Sequence, residues 1–180
     1  DRRARIEVGY GLEPYITDGF AGETIRQYMI PAFRERRYGE GLRAGVEHVV
    51  ARIAEAHPRL KLIIDHCGLL RLEKDAAAFG NLDALCALAK LPNVAVKMTG
   101  APHYSTEPYP FRNIQDGLHR IFDAYGPDRF FWGTDITRMP CSYRQCVTMF
   151  TEELPWLHGK DLEKVMGLGV IDWLRWKRGG

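Results

Sequence analysis

Three short apolar runs in this chain each lead into a polar side chain with chemical potential. Leu60-Lys61-Leu62-Ile63-Ile64-Asp65 leads into His66, Val94-Ala95-Val96-Lys97-Met98 into Thr99, and Arg129-Phe130-Phe131-Trp132-Gly133-Thr134 into Asp135. Desolvating a carboxylate costs on the order of several kcal/mol unless a cation or hydrogen-bond donors meet it. Asp135 therefore reads as a metal ligand or catalytic carboxylate, or else as an Asp that caps or turns the next loop. His66, with an unperturbed pKa of about 6.5, can exchange protons near neutral pH; the alternative is a core imidazole bonded to its own loop. Strand alternation points Asp65 to the opposite face, so it and His66 are not automatically a dyad. Lys97, inside an apolar strand, reads as a base or as the partner of a carboxylate, with pairing favoured.

Elements of regular structure must position these residues. Val46, Val49, Val50, Ile53 and Ala54 recur at helical spacing and predict an amphipathic helix over about 42–56, ended by His57-Pro58. A buried strand over 60–65 follows, then a loop over 68–80, then a helix capped by Asn81 and running through Lys90. The next strand spans 94–98 and opens into a long loop, 101–112, that holds Pro102, Pro108 and Pro110. Such a loop at a strand's C-terminal end often shapes a pocket. A helix over about 113–125, a strand over 129–134 and a helix over about 142–153 come next. Gly133 is expected to loosen the chain as it leaves the sheet. Asp161 caps a last helical segment to about Trp176.

The strands recur about every 32–35 residues, the repeat of a βα unit in a parallel sheet or barrel. The class is α/β, and polar residues at one end of successive parallel strands converge in space. Residues 41–180 hold these units. Residues 1–40 are a poorly legible N-terminal segment: 5–10 alternates like a short strand, and 23–37 is helical in pattern with Pro31 set to break or kink it.

With 180 residues the chain can bury a sizeable core. Its 25 Lys and Arg are scattered among 23 Asp and Glu, a net charge of +2, which leaves no footprint for nucleic acid. No run approaches the ~20 apolar residues of a membrane span. Cys67, Cys86, Cys141 and Cys146 show no CxxC spacing, and Cys67 and Cys86 read as reduced, buried thiols. With no signal peptide, a cytoplasmic protein is expected. The chain starts at Asp1 rather than Met and without a natural first element of a sheet, which reads as a piece of a longer chain.

The three runs, taken with their flanks, resemble the amidohydrolase superfamily, and within it the metal-dependent hydrolases related to aminocarboxymuconate semialdehyde decarboxylase. The matching stretches are His57-Pro58-Arg59-Leu60-Lys61-Leu62-Ile63-Ile64-Asp65-His66-Cys67-Gly68, Leu91-Pro92-Asn93-Val94-Ala95-Val96-Lys97-Met98-Thr99-Gly100 and 122–135, which ends Arg129-Phe130-Phe131-Trp132-Gly133-Thr134-Asp135. The resemblance covers about residues 45–176 and rests on their order and spacing.

It implies that the three strands are the sixth, seventh and eighth of a (β/α)8 TIM barrel, so that the chain is the C-terminal part of one. It implies a divalent metal, zinc or manganese, with Asp135 as a ligand and His66 beside the metal or acting as acid or base. Two family features are missing: there is no first-strand HxH, and before the first matching strand only His48 and His57 occur, in or at the end of a helix. The implied activity is metal-dependent hydrolysis of a lactone or amide in a small carboxylated substrate, with decarboxylation or hydration as the alternative. An incomplete chain of this kind would be weak or inactive alone. For an anionic substrate Arg138 and Arg112 are candidate carboxylate clamps, with Tyr109 and His103 beside them on the long loop, or the arginines are surface ion pairs. Two readings lie outside the enzyme: a half-barrel assembly module that pairs as a homo-oligomer through open sheet edges, and an α/β domain whose Asp and His are structural.

Overall fold

The computed structural model describes residues 4–9, 11–70 and 72–177. They form two compact units, residues 1–60 and 61–180.

The first unit is helical. Helix α1 (Asp18–Thr24) starts at Thr17, whose hydroxyl accepts from the Phe20 N–H at 3.2 Å. It continues through a π-helical turn, Ile25–Met29, into α2 (Ile30–Arg34). Pro31 therefore does not break the helix. It sits in the first turn of α2, just past a widened turn, where its missing N–H and its ring are accommodated. No strand forms over residues 4–9, where Arg5 instead pairs with Glu7; Tyr10 lies outside the described residues.

Helix α3 (Tyr38–Ala56) packs back on this segment. Its buried face follows the expected stripe only in part: Val49, Val50 and Ile53 are half-buried. Gly41, Gly45 and Ala54 are buried, while Val46 is 60% exposed. A Cβ on Gly45 would lie 2.9 Å from Met29 Cγ, and one on Gly41 2.7 Å from the Met29 carbonyl. The closest approach belongs to small residues, and the larger apolar ones flank it. His48 lies between the rings of Phe20 and Tyr28, at centroid distances of 4.6 and 4.1 Å, with Nδ1 3.0 Å from the buried Thr24 hydroxyl.

The second unit is built on a three-stranded parallel sheet in the order β1 (Leu62–Asp65), β2 (Val94–Thr99), β3 (Phe130–Gly133). The strands fall within two residues of the expected spans. Val94, Val96, Met98 and Phe130 are fully buried, and Phe122 meets Phe130 edge-on. Phe122 lies on α6 (Gln115–Tyr125), which follows α4 (Asp75–Ala78) and α5 (Leu82–Leu88). Ala95 and Phe131 point the other way, onto Trp173, with Ile63 and Val170 beside them. Burial on both faces explains why these strands read as continuous apolar runs.

Trp173 and Val170 lie on α9 (Gly169–Leu174), which follows α7 (Tyr143–Glu152), α8 (Gly159–Glu163) and a π-helical turn. The last helix is thus broken, and Asp161 lies inside its first turn rather than capping it. Lys61 Nζ donates to the Trp173 carbonyl at 2.7 Å and lies 4.6 Å from the ring centroid. Trp176, by contrast, is 69% exposed. The Lys97 pairing is direct: its register partner is Asp65, and Nζ reaches the carboxylate at 2.5 Å.

Leu118 of α6 is fully buried. Leu118→Ala removes its transfer energy and leaves a cavity, so it should lower unfolding free energy by about 2–5 kcal/mol, read by urea denaturation.

Candidate functional site

Each of the three strands ends in a tight turn at the same edge of the sheet. After β1 the backbone turns left-handed at His66, Cys67 and Gly68, with φ of 52°, 48° and 61°. Two successive non-glycine residues in that region cost on the order of 1–3 kcal/mol each, strain that usually persists where the surroundings hold it for a purpose. Cys67 is fully buried beneath the turn, and burial pushes its thiol well up, leaving an inert anchor. Asn81 Nδ2 donates to the Gly68 carbonyl at 2.9 Å. Asn81 therefore does not cap α5 through its side chain, as its position suggested, but ties down the turn that carries His66. Cys86 is only partly covered, near the Arg120 carbonyl.

After β3 the chain turns left-handed again at Asp135, φ 51°, and enters a 3₁₀ turn, Ile136–Arg138. The Asp135 side chain caps nothing in that turn. It faces His66 instead, with Oδ2 3.9 Å from Nε2, while Arg138 Nε lies 3.7 Å from the same oxygen. After β2, Thr99 is buried and bonds the other side of the imidazole. His66 Nδ1 lies 3.1 Å from the Thr99 carbonyl and 2.6 Å from its hydroxyl. Gly100, at φ 78°, lets this crossing close: an added Cβ would lie 3.3 Å from Met139 Cε and 3.7 Å from Asp135 Cβ.

The arrangement is an imidazole, a carboxylate and a guanidinium around a small gap. Both 3.9 and 3.7 Å exceed a direct hydrogen bond, so a water or a reacting oxygen can lie between the groups. A proton acceptor, a negative charge and a positive charge are what acid–base work on a polar substrate needs.

The other candidates stand elsewhere. Arg112 Nη2 pairs with Glu153 at 3.8 Å, and the Tyr109 hydroxyl lies 3.0 Å from Thr148 Oγ1 and 3.4 Å from Glu153 Oε1. The His103 ring meets Tyr104 edge-on, and its carbonyl accepts from Lys74 Nζ. Among the described residues no hydrogen bond or ion pair joins these three to His66 or Asp135. The loop they share is fastened by Asp75, whose carboxylate accepts from the Thr106 N–H at 2.8 Å, the Thr106 hydroxyl at 2.7 Å and Asn113 Nδ2 at 2.5 Å. Thr99 and Asn81 are the residues that the sequence left out of the site. Thr99 was visible as one of three polar strand ends, but nothing local marked it as the partner of His66.

Beyond Asp135, a capping box of Ser142 and Gln145 opens α7. Cys141 and Cys146 flank it with sulfurs 3.6 Å apart. Burial, with the neighbouring Cys146 sulfur, pushes the Cys141 thiol up to about 12, so Cys141 offers no ready thiolate nucleophile.

Catalytic zinc takes three protein ligands and an open position. Among the described residues no three His, Cys, Asp or Glu side chains converge. His66 and Asp135 make two donors, spaced a little wider than the ~3.3 Å edge of a tetrahedron with bonds near 2.0–2.1 Å, and Arg138 already stands beside the carboxylate. These residues do not by themselves complete a zinc or manganese centre.

The amidohydrolase family model matches residues 39–168, more than half of the chain. The chain belongs to the amidohydrolase family. A TPM domain model also matches residues 1–52, under a third of the chain and overlapping the first match. Two solved structures resemble this amidohydrolase chain, both of an amidohydrolase from Burkholderia multivorans. One, with bound zinc, has 21% identity and a TM-score of 0.61; the other, with bound HEPES, has 21% identity and a TM-score of 0.59. Each alignment covers 84% of this chain and 62% of the other. At this identity the likeness shows the fold: the parallel βα units are of the TIM-barrel type, and the chain spans somewhat under two thirds of that protein's length. No curated relative matches the chain.

The Asp75 tether gives a pH test. Hydrogen bonds from the Thr106 hydroxyl and backbone N–H hold its carboxyl below the usual range. The folded pKa is depressed, so the tether's stabilisation is complete above the unfolded value of about 3.9 and fades as pH falls through the folded one. The stability gap between wild type and Asp75→Ala should be full at neutral pH and shrink below about pH 4, measured by denaturation across a pH series. A gap unchanged down to the acid limit of folding would rule the tether out.

Proposed function

We propose that this chain carries the His66–Asp135 part of the active site of a metal-dependent hydrolase, acting on a small carboxylated lactone or amide. The observation that carries the reading is the pair of left-handed strand-end turns that bring His66 Nε2 to within 3.9 Å of Asp135 Oδ2. Family membership supports it, as does the zinc bound in one of the similar structures. The three matching stretches favour the branch related to aminocarboxymuconate semialdehyde decarboxylase, with β1, β2 and β3 as the sixth, seventh and eighth strands of the barrel.

In this reading His66 Nε2 receives a proton from the attacking water and returns it to the leaving group. Asp135 orients that water and serves as one metal donor. Arg138, a planar donor beside the gap, balances Asp135 and holds the substrate carboxylate. The remaining metal donors come from outside the described residues, from another part of a longer chain or a second copy.

Zinc titration by calorimetry tests this. Asp135 as the one donor of this chain should give weak binding, reduced at least ~10-fold by Asp135→Asn, as for loss of a residue that supports a metal, and unchanged by Arg112→Gln. Equal zinc affinity in wild type and Asp135→Asn would sink the proposal.

A further inference from the structure

His66 is asymmetric in its surroundings. Nδ1 meets two oxygens of a single residue, the Thr99 carbonyl at 3.1 Å and the Thr99 hydroxyl at 2.6 Å. Nε2 meets the Asp135 carboxylate at 3.9 Å, beyond hydrogen-bond reach. A hydroxyl can donate or accept, so alone it would leave the tautomer open. A carbonyl oxygen can only accept. Its presence beside Nδ1 sets the direction, and the closer hydroxyl, turned to accept, supplies the stronger contact: a proton on Nδ1 satisfies both oxygens, whereas a lone pair there would face the carbonyl's own lone pairs.

Thr99 can occupy this place because of the residue opposite. In the parallel register Thr99 pairs with Gly133. A Cβ on Gly133 would lie 2.4 Å from Thr99 Cγ2, a separation that real Cβ atoms essentially never show. No left-handed φ is found at Gly133, so its backbone does not demand glycine. The missing side chain serves space: it seats the threonine methyl, and with the methyl seated the hydroxyl turns to the imidazole. The expectation that Gly133 merely loosens the chain is replaced by this steric role.

We propose that Thr99, seated on Gly133, is the positioning residue of the site: it holds His66 in the Nδ1–H form and leaves the Nε2 lone pair facing Asp135. This goes beyond the proposed reaction and does not depend on it, because the property is the imidazole's protonation site in the metal-free protein. It also assigns the site's polarity. Two acceptors, Nε2 and Oδ2, face one gap, and whatever enters it must bring a proton or a positive charge.

The test is the long-range proton–nitrogen NMR spectrum of the histidine rings, recorded with a chelator at pH 9, where free imidazole is neutral. The His66 signal is the one among six lost in His66→Gln. Wild type should show a pyrrole-type Nδ1 and a pyridine-type Nε2, close to a single tautomer. Thr99→Val removes the shorter contact, the hydroxyl at 2.6 Å, and keeps only the longer one to the carbonyl at 3.1 Å, so it should shift both nitrogens part of the way toward the average of two tautomers. Thr99→Ser should keep the wild-type pattern. Gly133→Ala should imitate Thr99→Val although it changes no hydrogen-bonding atom.

The double variant Gly133→Ala with Thr99→Ser removes the methyl that the new Cβ would strike while keeping the hydroxyl, and should restore the wild-type pattern. It should also restore folding if Gly133→Ala alone fails to fold. A wild-type spectrum with the proton on Nε2 overturns the proposal. So does a Gly133→Ala spectrum identical to wild type, or a double variant no closer to wild type than Gly133→Ala.

Discussion

Parallel pairing in one register is the constraint on which the rest of this structure depends. Leu62 lies opposite Val94 and Val96 opposite Phe130, and the three strands end together. Side chains alternate along a strand, so a slip of one residue would exchange the two buried faces and set Phe130, Val96 and Val94 against packing that fits Ala95 and Phe131. The same register sets Asp65 against Lys97 and Thr99 against Gly133. An ion pair and a steric fit follow from the hydrophobic pattern that aligned the strands.

The site takes its character from what lies just past that edge. His66 and Asp135 leave the sheet in left-handed turns, and both turns are fastened from elsewhere: by Asn81 and buried Cys67 on one side, by the approach over Gly100 on the other. Packing spends its energy holding two strained residues face to face rather than relaxing them. Arg138 offsets the charge of Asp135 at 3.7 Å, and Thr99 occupies the far nitrogen of His66. What is left is a gap with Nε2 and Oδ2 as acceptors and the Arg138 guanidinium beside them, a place suited between the two acceptors to a cation or a proton donor.

Much of this could be read from the residues. The three strands, the helices between them and the polar residues at their ends follow from apolar runs repeating at βα spacing, because a strand buried on both faces has few other ways to be written. Lys97 announced its ion pair by standing charged in an apolar strand. Contacts between small residues were harder to read. The buried face of α3 is glycine and alanine, and Val46 is exposed, because helical periodicity marks where apolar side chains lie and not where two backbones come closest. At Pro31 a break or a kink is expected, and a π-helical turn carries the helix past it.

By itself the sequence determined the class of the sheet, the polar residues at one edge of it and the likeness to the amidohydrolases, since each rests on local pattern and spacing. Only the tertiary structure decided which of those residues meet. It set His66 against Thr99 and Asp135, drew Arg112 and Tyr109 toward Glu153, and gave Asn81 to a turn rather than a helix cap. The physical reason is range. Propensity and periodicity act over a few residues, whereas the partners of an imidazole 33 residues from its threonine are chosen by strand register and by the space a glycine leaves open.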